Sequence, residues 1–161
     1  MVMSNENALV TTRLDTLELI CFTLEGQEFG IPITSVKEII QPPPITRVVH
    51  TTDLVAGVIN VRGVILAVLN VKQILNLQDT SSLSEAKIVH VYNQDKSAGV
   101  LVDNVEVVKE VSVDDIRQLE SSAETNATYF DGVVQLEDHP LTILSVSKIL
   151  NAPELMDYQE K

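Results

Sequence analysis

Aromatic side chains are scarce in this chain: no Trp, three Tyr and three Phe, 4% of 161 residues. A core without large rings must be filled by Val, Ile and Leu, and β-branched dominance favours strands. Basic residues are outnumbered 11 to 23 by acidic ones, giving a formal net charge of -12. Such a field repels phosphate backbones and anionic lipid, so no nucleic-acid or membrane-surface partner is expected. Cys21 is the one cysteine, which excludes an internal disulfide. No apolar run reaches the ~18 residues needed to cross a bilayer, so no direct membrane insertion is expected. Met1 to Thr16 carry no charged block followed by an apolar one, the mark of a secretory signal. The expected location is the cytoplasm.

What the chain does have is 45% apolar residues, enough for a core, and an internal repeat. Gly57-Val-Ile-Asn-Val-Arg-Gly-Val-Ile-Leu-Ala-Val-Leu-Asn-Val-Lys-Gln-Ile-Leu75 aligns without a gap on Gly132-Val-Val-Gln-Leu-Glu-Asp-His-Pro-Leu-Thr-Ile-Leu-Ser-Val-Ser-Lys-Ile-Leu150. Seven of these nineteen positions are identical, and most others exchange one apolar residue for another. Gly30 to Val36 echoes Gly99 to Val105 in the same way. The chain is therefore one unit of about 65 residues made twice.

Alternation and turn residues divide each unit into short elements. Strands are predicted at 17–24, 29–33, 57–61, 64–69, 87–92, 99–103, 105–111, 129–136 and 141–146, about nine in all. Pro32 within the second implies an edge or a bulge. One-turn helices are predicted at 35–38 (a capping-box spacing), 53–56, 71–75, 112–115 and 147–150. Pro42, Pro43 and Pro44 force an extended connector. The Ser-rich stretch 78–86 links the halves and 117–127 is a loop. Residues 1–15 are expected to form a flexible leader, 16–152 one domain of two subdomains, and 153–161 a tail. The expected class is all-β, mainly antiparallel, in barrels, with a few short helices.

The residues offer little chemistry. His50, His90 and His139 lack ligand spacing, so no metal is expected. Cys21 lies on an apolar strand, where a thiol behaves as a small hydrophobe. No nucleophile elbow and no phosphate-binding glycine loop appear. Asp114-Asp115 and Glu137-Asp138 fall at turns, where solvated acids are ordinary. Ser145 sits at an apolar strand end, where packing accounts for it. Neither catalysis nor a cofactor is expected. Arg62, at the tip of an apolar hairpin in an acidic chain, is the best-placed residue to anchor a partner. A small-ligand sensor using a groove between the barrels and an oligonucleotide-binding barrel are the competing classes. The second would need basic residues and exposed aromatics.

At these residues the chain resembles the CheW family of chemosensory adaptors. The family's G-x-x-N-x-R-G-x-x-x-P-x-x-D-L run appears as Gly57 to Val71, with Asn60, Arg62 and Gly63 in place. Gly30-Ile-Pro-Ile33 with Val36, Glu38 and Ile39, then Gly99 to Val105, and Leu144 to Leu150 extend the match from about Leu17 to Ala152. Ala67 replaces the usual Pro, and Asn70 and Ser145 replace usual Asp residues, as in a divergent paralogue. His50-Thr51-Thr52 stands where a Pro-flanked loop is common. Asn and Ser also satisfy turns and caps, so the fold should survive. The resemblance implies two packed SH3-like five-stranded barrels, with strands that can cross between them. It implies an adaptor without catalysis, bridging a chemoreceptor's cytoplasmic tip and the regulatory domain of the histidine kinase CheA at membrane-associated arrays. It places Val36, Glu38, Ile39, Gly57, Asn60, Arg62 and Gly63 at or under the receptor face, and Asp103 and Asn104, more weakly, on the kinase face.

Overall fold

The computed structural model describes residues 15–47, 54–72, 74, 75, 77, 78, 86–118 and 129–152. These form eleven strands: β1 (Thr16–Leu24), β2 (Gln27–Pro32), β3 (Val36–Ile40), β4 (Val55–Val61), β5 (Val64–Leu69), β6 (Lys87–Asn93), β7 (Lys96–Val102), β8 (Asn104–Ser112), β9 (Ile116–Arg117), β10 (Phe130–Gln135) and β11 (Pro140–Leu144). One short helix, α1 (Val146–Leu150), follows. They build two sheets, one in the order β8-β1-β2-β11-β10-β9 and one in the order β3-β6-β7-β5-β4. The expected pair of five-stranded units is thus six strands and five, because β9 adds a two-residue edge.

The duplication is visible in the register. Gly57 faces Val68 after a bulge, and Gly132 faces Ile143 after a bulge. The parallel partners repeat too: Gly99 beside Val68 and Gly30 beside Ile143. Sequence halves are not structural halves. After β2 the chain leaves for the other sheet at β3, and after β7 it returns at β8, so the larger sheet joins the first hairpin to the last.

Three apolar clusters follow from this exchange. Leu19, Cys21, Val111, Val134, Leu141 and Ile143 form a cluster within the larger sheet. Ile59, Leu66, Val68 and Ile88, with Ile40 and Ile45 against them, form one within the smaller. Ile40 of β3 and Ile59 of β4 come from opposite ends of the strand order, so the smaller sheet curls on itself. The third and largest cluster lies between the sheets, with Phe22, Phe29, Leu69, Val89, Val100, Leu144 and Ile149 among its members. Phe22 and Phe29 stack there at 6.2 Å. Strands with cores on both faces carry the unbroken apolar runs seen in β1 and β5.

Several local expectations are corrected. The turn predicted at 35–38 lies earlier, as a 3-10 turn at Ile33–Ser35. Val36 to Ile40 are rich in β-branched residues and pair with β6 instead. Val55 and Ala56 open β4 rather than a helix. Of the 71–75 turn, the described residues 71, 72, 74 and 75 are in turn conformation, with Leu75 N–H donating to Val71 O at 3.0 Å. Pro32 sits neither at an edge nor in a bulge. It is the last residue of a central strand, past Gly30, where pairing with β11 ends. Ser112 caps the next 3-10 turn as expected, its Oγ accepting from Asp114 N–H at 3.2 Å. The leader 1–14, most of the 78–86 link, most of the 117–127 loop and the tail 153–161 lie outside the described residues.

Candidate functional site

Hairpin β4–β5 turns on Arg62 (φ +51°) and Gly63 (φ +87°). Both central residues are left-handed, the geometry that matches strand twist across a two-residue turn. Gly63 takes this conformation freely, whereas Arg62 takes it against its Cβ. Asn60 holds the turn: its Oδ1 accepts the Gly63 N–H at 2.8 Å. The strained position aims the Arg62 side chain, 72% exposed, back across the sheet to Glu38.

That contact joins strands that are not neighbours. Glu38 is on β3, at one end of the smaller sheet, and β4 is at the other. The Arg62 guanidinium donates to Glu38 Oε2, so the ion pair crosses the mouth of the curl. Arg62, and His90 to a lesser degree, hold the Glu38 carboxyl below its usual range. His90 faces Glu38 in the β3–β6 pairing, with Nδ1 3.5 Å from Glu38 Oε2. Burial pushes the His90 imidazole down, against the pull of Glu38. A neutral, buried His90 is favoured as pH rises, so its contribution to stability is lost as pH falls below the ordinary 6.5.

Around this pair is apolar surface. Val64 and Ile65 are 64% and 62% exposed at the start of β5, and Ile39 is exposed beside Glu38. Val36 is half-buried and packs on the central cluster. The structure thus brings Glu38, Asn60, Arg62 and Gly63 together, with Ile39 on the same strand as Glu38. Gly57 is different. It is buried, and a Cβ there would stand 2.4 Å from Thr46 O and 2.7 Å from Ile45 Cγ2. Its job is to admit the 45–46 segment, which bridges to Val58 by two backbone hydrogen bonds.

Asp103 and Asn104 lie elsewhere, where the chain passes from β7 to β8. Asp103 is held internally: Oδ2 accepts the Glu25 N–H at 2.7 Å and Oδ1 meets Lys72 Nζ at 2.7 Å. Lys72 Nζ also donates to Glu25 Oε2 at 2.6 Å. Asn104 is exposed and opposes Thr23. Sequence reasoning missed Lys72, whose side chain is 4% exposed. Its signal was a lone cation at a position where the other repeat has Ser147.

A second ionic group was also missed. Glu28, buried on β2, meets Lys109 of β8 at 2.8 Å and the His139 ring before β11. Burial alone would raise the Glu28 carboxyl, but Lys109 and His139 together hold it below its usual range. Cys21 lies in the cluster beneath, its thiol pushed up to about 12 by burial and by Glu28. Such a thiol is inert, as its apolar strand suggested. Among the described residues no three His, Cys, Asp or Glu side chains gather to hold a metal ion. No helix there is long and apolar enough to cross a membrane.

Comparison with known proteins places this geometry. The CheW-like domain matches residues 18–154. The chain is 33% identical over 140 residues to the chemotaxis protein CheW of Klebsiella aerogenes, covering 86% of this chain and 84% of that protein. Protein FrzA of Myxococcus xanthus is 25% identical over 150 residues, 92% of this chain and 94% of the relative. The crystal structure of the scaffolding protein TtCheW from Thermoanaerobacter tengcongensis superposes with a TM-score of 0.78 at 21% identity, over 86% of this chain and 90% of that one. With the domain spanning nearly every described residue, the chain belongs to the CheW-like family of chemotaxis proteins.

Proposed function

We propose that this chain is a non-enzymatic adaptor in bacterial chemosensory signalling. It couples the cytoplasmic tip of a chemoreceptor to the regulatory domain of the histidine kinase CheA, and works in the cytoplasm at membrane-associated receptor arrays. The observation that carries this reading is the Arg62 hairpin. A strained turn spends conformational energy to present one guanidinium beside exposed Ile39, Val64 and Ile65. Strain held at an exposed point is a feature of binding sites, and an Arg set in apolar surface is the usual anchor of a protein contact. Glu38, Ile39, Asn60 and Gly63 complete the receptor face, with Val36 and Gly57 supporting it from below. Asn104, beside the internally held Asp103, marks the kinase face.

Arg62→Glu reverses the charge without touching either core. Capture of receptor tips should fall by about 30-fold in affinity, the effect of losing an anchor of about 2 kcal/mol. Unchanged recovery by the folded variant removes Arg62 from the interface. A second reading, a paralogue serving another chemosensory output such as type IV pilus motility, is favoured by the likeness to FrzA and by Ala67, Asn70 and Ser145. Capture from the native cell, identified by mass spectrometry, separates the two through the kinase that is recovered.

A further inference from the structure

The turn between β10 and β11 occupies the place that the Arg62 turn holds in the other repeat, but carries no arginine. It carries His139, whose two ring nitrogens both meet carboxylates. Nδ1 lies 2.6 Å from Asp138 Oδ1, and Nε2 meets Glu28 Oε1. An imidazole has two N–H groups only when protonated, and the neutral ring must turn a lone pair toward one of its partners. The arrangement therefore specifies an imidazolium.

What the ring fastens is structural. Asp138 is exposed on the turn, while Glu28 is a buried residue of β2. Through His139 the tip of β10–β11 is tied to the strand that β11 pairs with in parallel, beginning at Leu141 opposite Glu28. The charged groups around the ring are Glu28 from β2, Lys109 and Glu106 from β8, and Asp138 and Glu137 from the turn itself, with Cys21 of β1 beneath Glu28. Glu28, Glu106, Lys109 and His139, with Thr23 and Thr142, line a cleft of about 370 Å³ at the mouth of the larger sheet.

We propose that His139 is a proton-operated latch: its imidazolium pins the β10–β11 turn over this cleft, and loss of the proton releases the turn and opens the mouth. The partners of His139 also act on its titration. Glu28 first and Asp138 second raise the ring above its ordinary 6.5. A raised group stabilises fully below the unfolded value and stops doing so as pH rises through the folded one. The latch is thus closed at about 6.5 and below, down to the acid range under 4.5 where Glu28 itself protonates, and it opens as pH rises through the raised midpoint of the ring. The matching hairpin should not loosen above 6.5, because the titrating groups at its tie, Glu38 and His90, are both shifted downward.

The test is NMR on the full chain across neutral and alkaline pH. It follows the assigned His139 ring together with amide exchange corrected for its intrinsic pH dependence. The ring should titrate above 6.5. Exchange at Leu136, whose N–H donates to His139 O at 2.9 Å, should rise severalfold at the same midpoint. Exchange at Ile65 and Leu66 in the matching hairpin should not follow. In His139→Gln the Leu136 step should vanish, and in Glu28→Gln the ring midpoint should drop. A ring that titrates at or below 6.5, or a Leu136 amide indifferent to it, overturns the latch. Both of these readouts come from the unaltered protein, so they decide the matter even if neither variant folds.

Discussion

The two sheets share a backbone plan and differ in what closes their mouths. Glycines, bulges and parallel registers repeat: Gly57 with Gly132, Gly99 with Gly30. Even the short strap over each glycine repeats, Ile45-Thr46 over Gly57 and Ile116-Arg117 over Gly132. The ion pairs do not. One mouth has an exposed Arg62 paired with a half-buried Glu38. The other has Glu28, Lys109 and His139, seated on a buried carboxylate. Backbone geometry is constrained by close contacts that leave no freedom, whereas charged groups at a rim can be exchanged at small cost. The duplicated frame has therefore kept its packing and diversified its rims.

The sharpest break in the symmetry is Lys72, which matches Ser147 in the other repeat. It meets Glu25 in the first turn of the larger sheet and Asp103 at the crossover between sheets. Lys72→Met keeps the length of the side chain and strands two carboxylates that are 12% and 13% exposed. Breaking a buried ionic group in this way costs about 3–5 kcal/mol. Chemical denaturation should show that loss as a lower midpoint, with the largest effect of any single change considered for this chain. A loss under ~1 kcal/mol, the level of a surface pair, would mean the sheets are held by their shared apolar core alone.

The glycines test the opposite claim, that the frame is equivalent in both halves. A methyl at Gly57 meets backbone, Thr46 O at 2.4 Å, where little can give. At Gly132 it meets Ile116 Cγ2 at 2.5 Å and Arg117 O at 2.9 Å. Both Gly57→Ala and Gly132→Ala should destabilise by about 1–3 kcal/mol, as overpacking does. Gly57→Ala should lie at the upper end, because a side chain yields more readily than a carbonyl. If either substitution is silent in thermal melting, the strap over that glycine is not fixed and the equivalence fails there.

The duplication, the β class and the tight hairpin around Arg62 were legible because glycine and β-branched residues report backbone geometry directly. Strand exchange was not, since nothing in β3 or β8 states which sheet it joins; only the resemblance allowed for it. The helical turn expected at 35–38 failed because a capping-box spacing is weaker than the pairing of Val36 to Ile40 with β6. Within the site, Arg62 stood out as a lone cation on an apolar hairpin. Its strained φ and its reach to Glu38, 24 residues away, depend on the curl of the sheet. Lys72, Glu28 and His139 were illegible for the same reason: apart from Asp138, next to His139, their partners lie far along the chain, Glu25 47 residues from Lys72 and Glu28 111 from His139.

The smallest effects concern Asn70 and Ser145, where the family pattern has Asp. Packing and capping were both expected of Ser145, and it is buried with its Oγ accepting the Lys148 N–H at 3.2 Å to cap α1. Asn70 does the matching task with Oδ1, accepting the Lys72 N–H at 3.2 Å at the start of a turn. The chemistry at the two sites is the same, but the structures they start differ. Ser145→Ala should cost about 1 kcal/mol, the ordinary value of an N-cap, while Ser145→Asp should be nearly neutral because either oxygen serves. Asn70→Ala should cost no less, because the turn it begins also positions Lys72 for Glu25 and Asp103. Denaturation midpoints of the four proteins, these three variants and the parent, measure the difference. An Asn70→Ala loss smaller than that of Ser145→Ala would show that Lys72 reaches its carboxylates without help from the turn, and that the brace is set by charge rather than by the repeat.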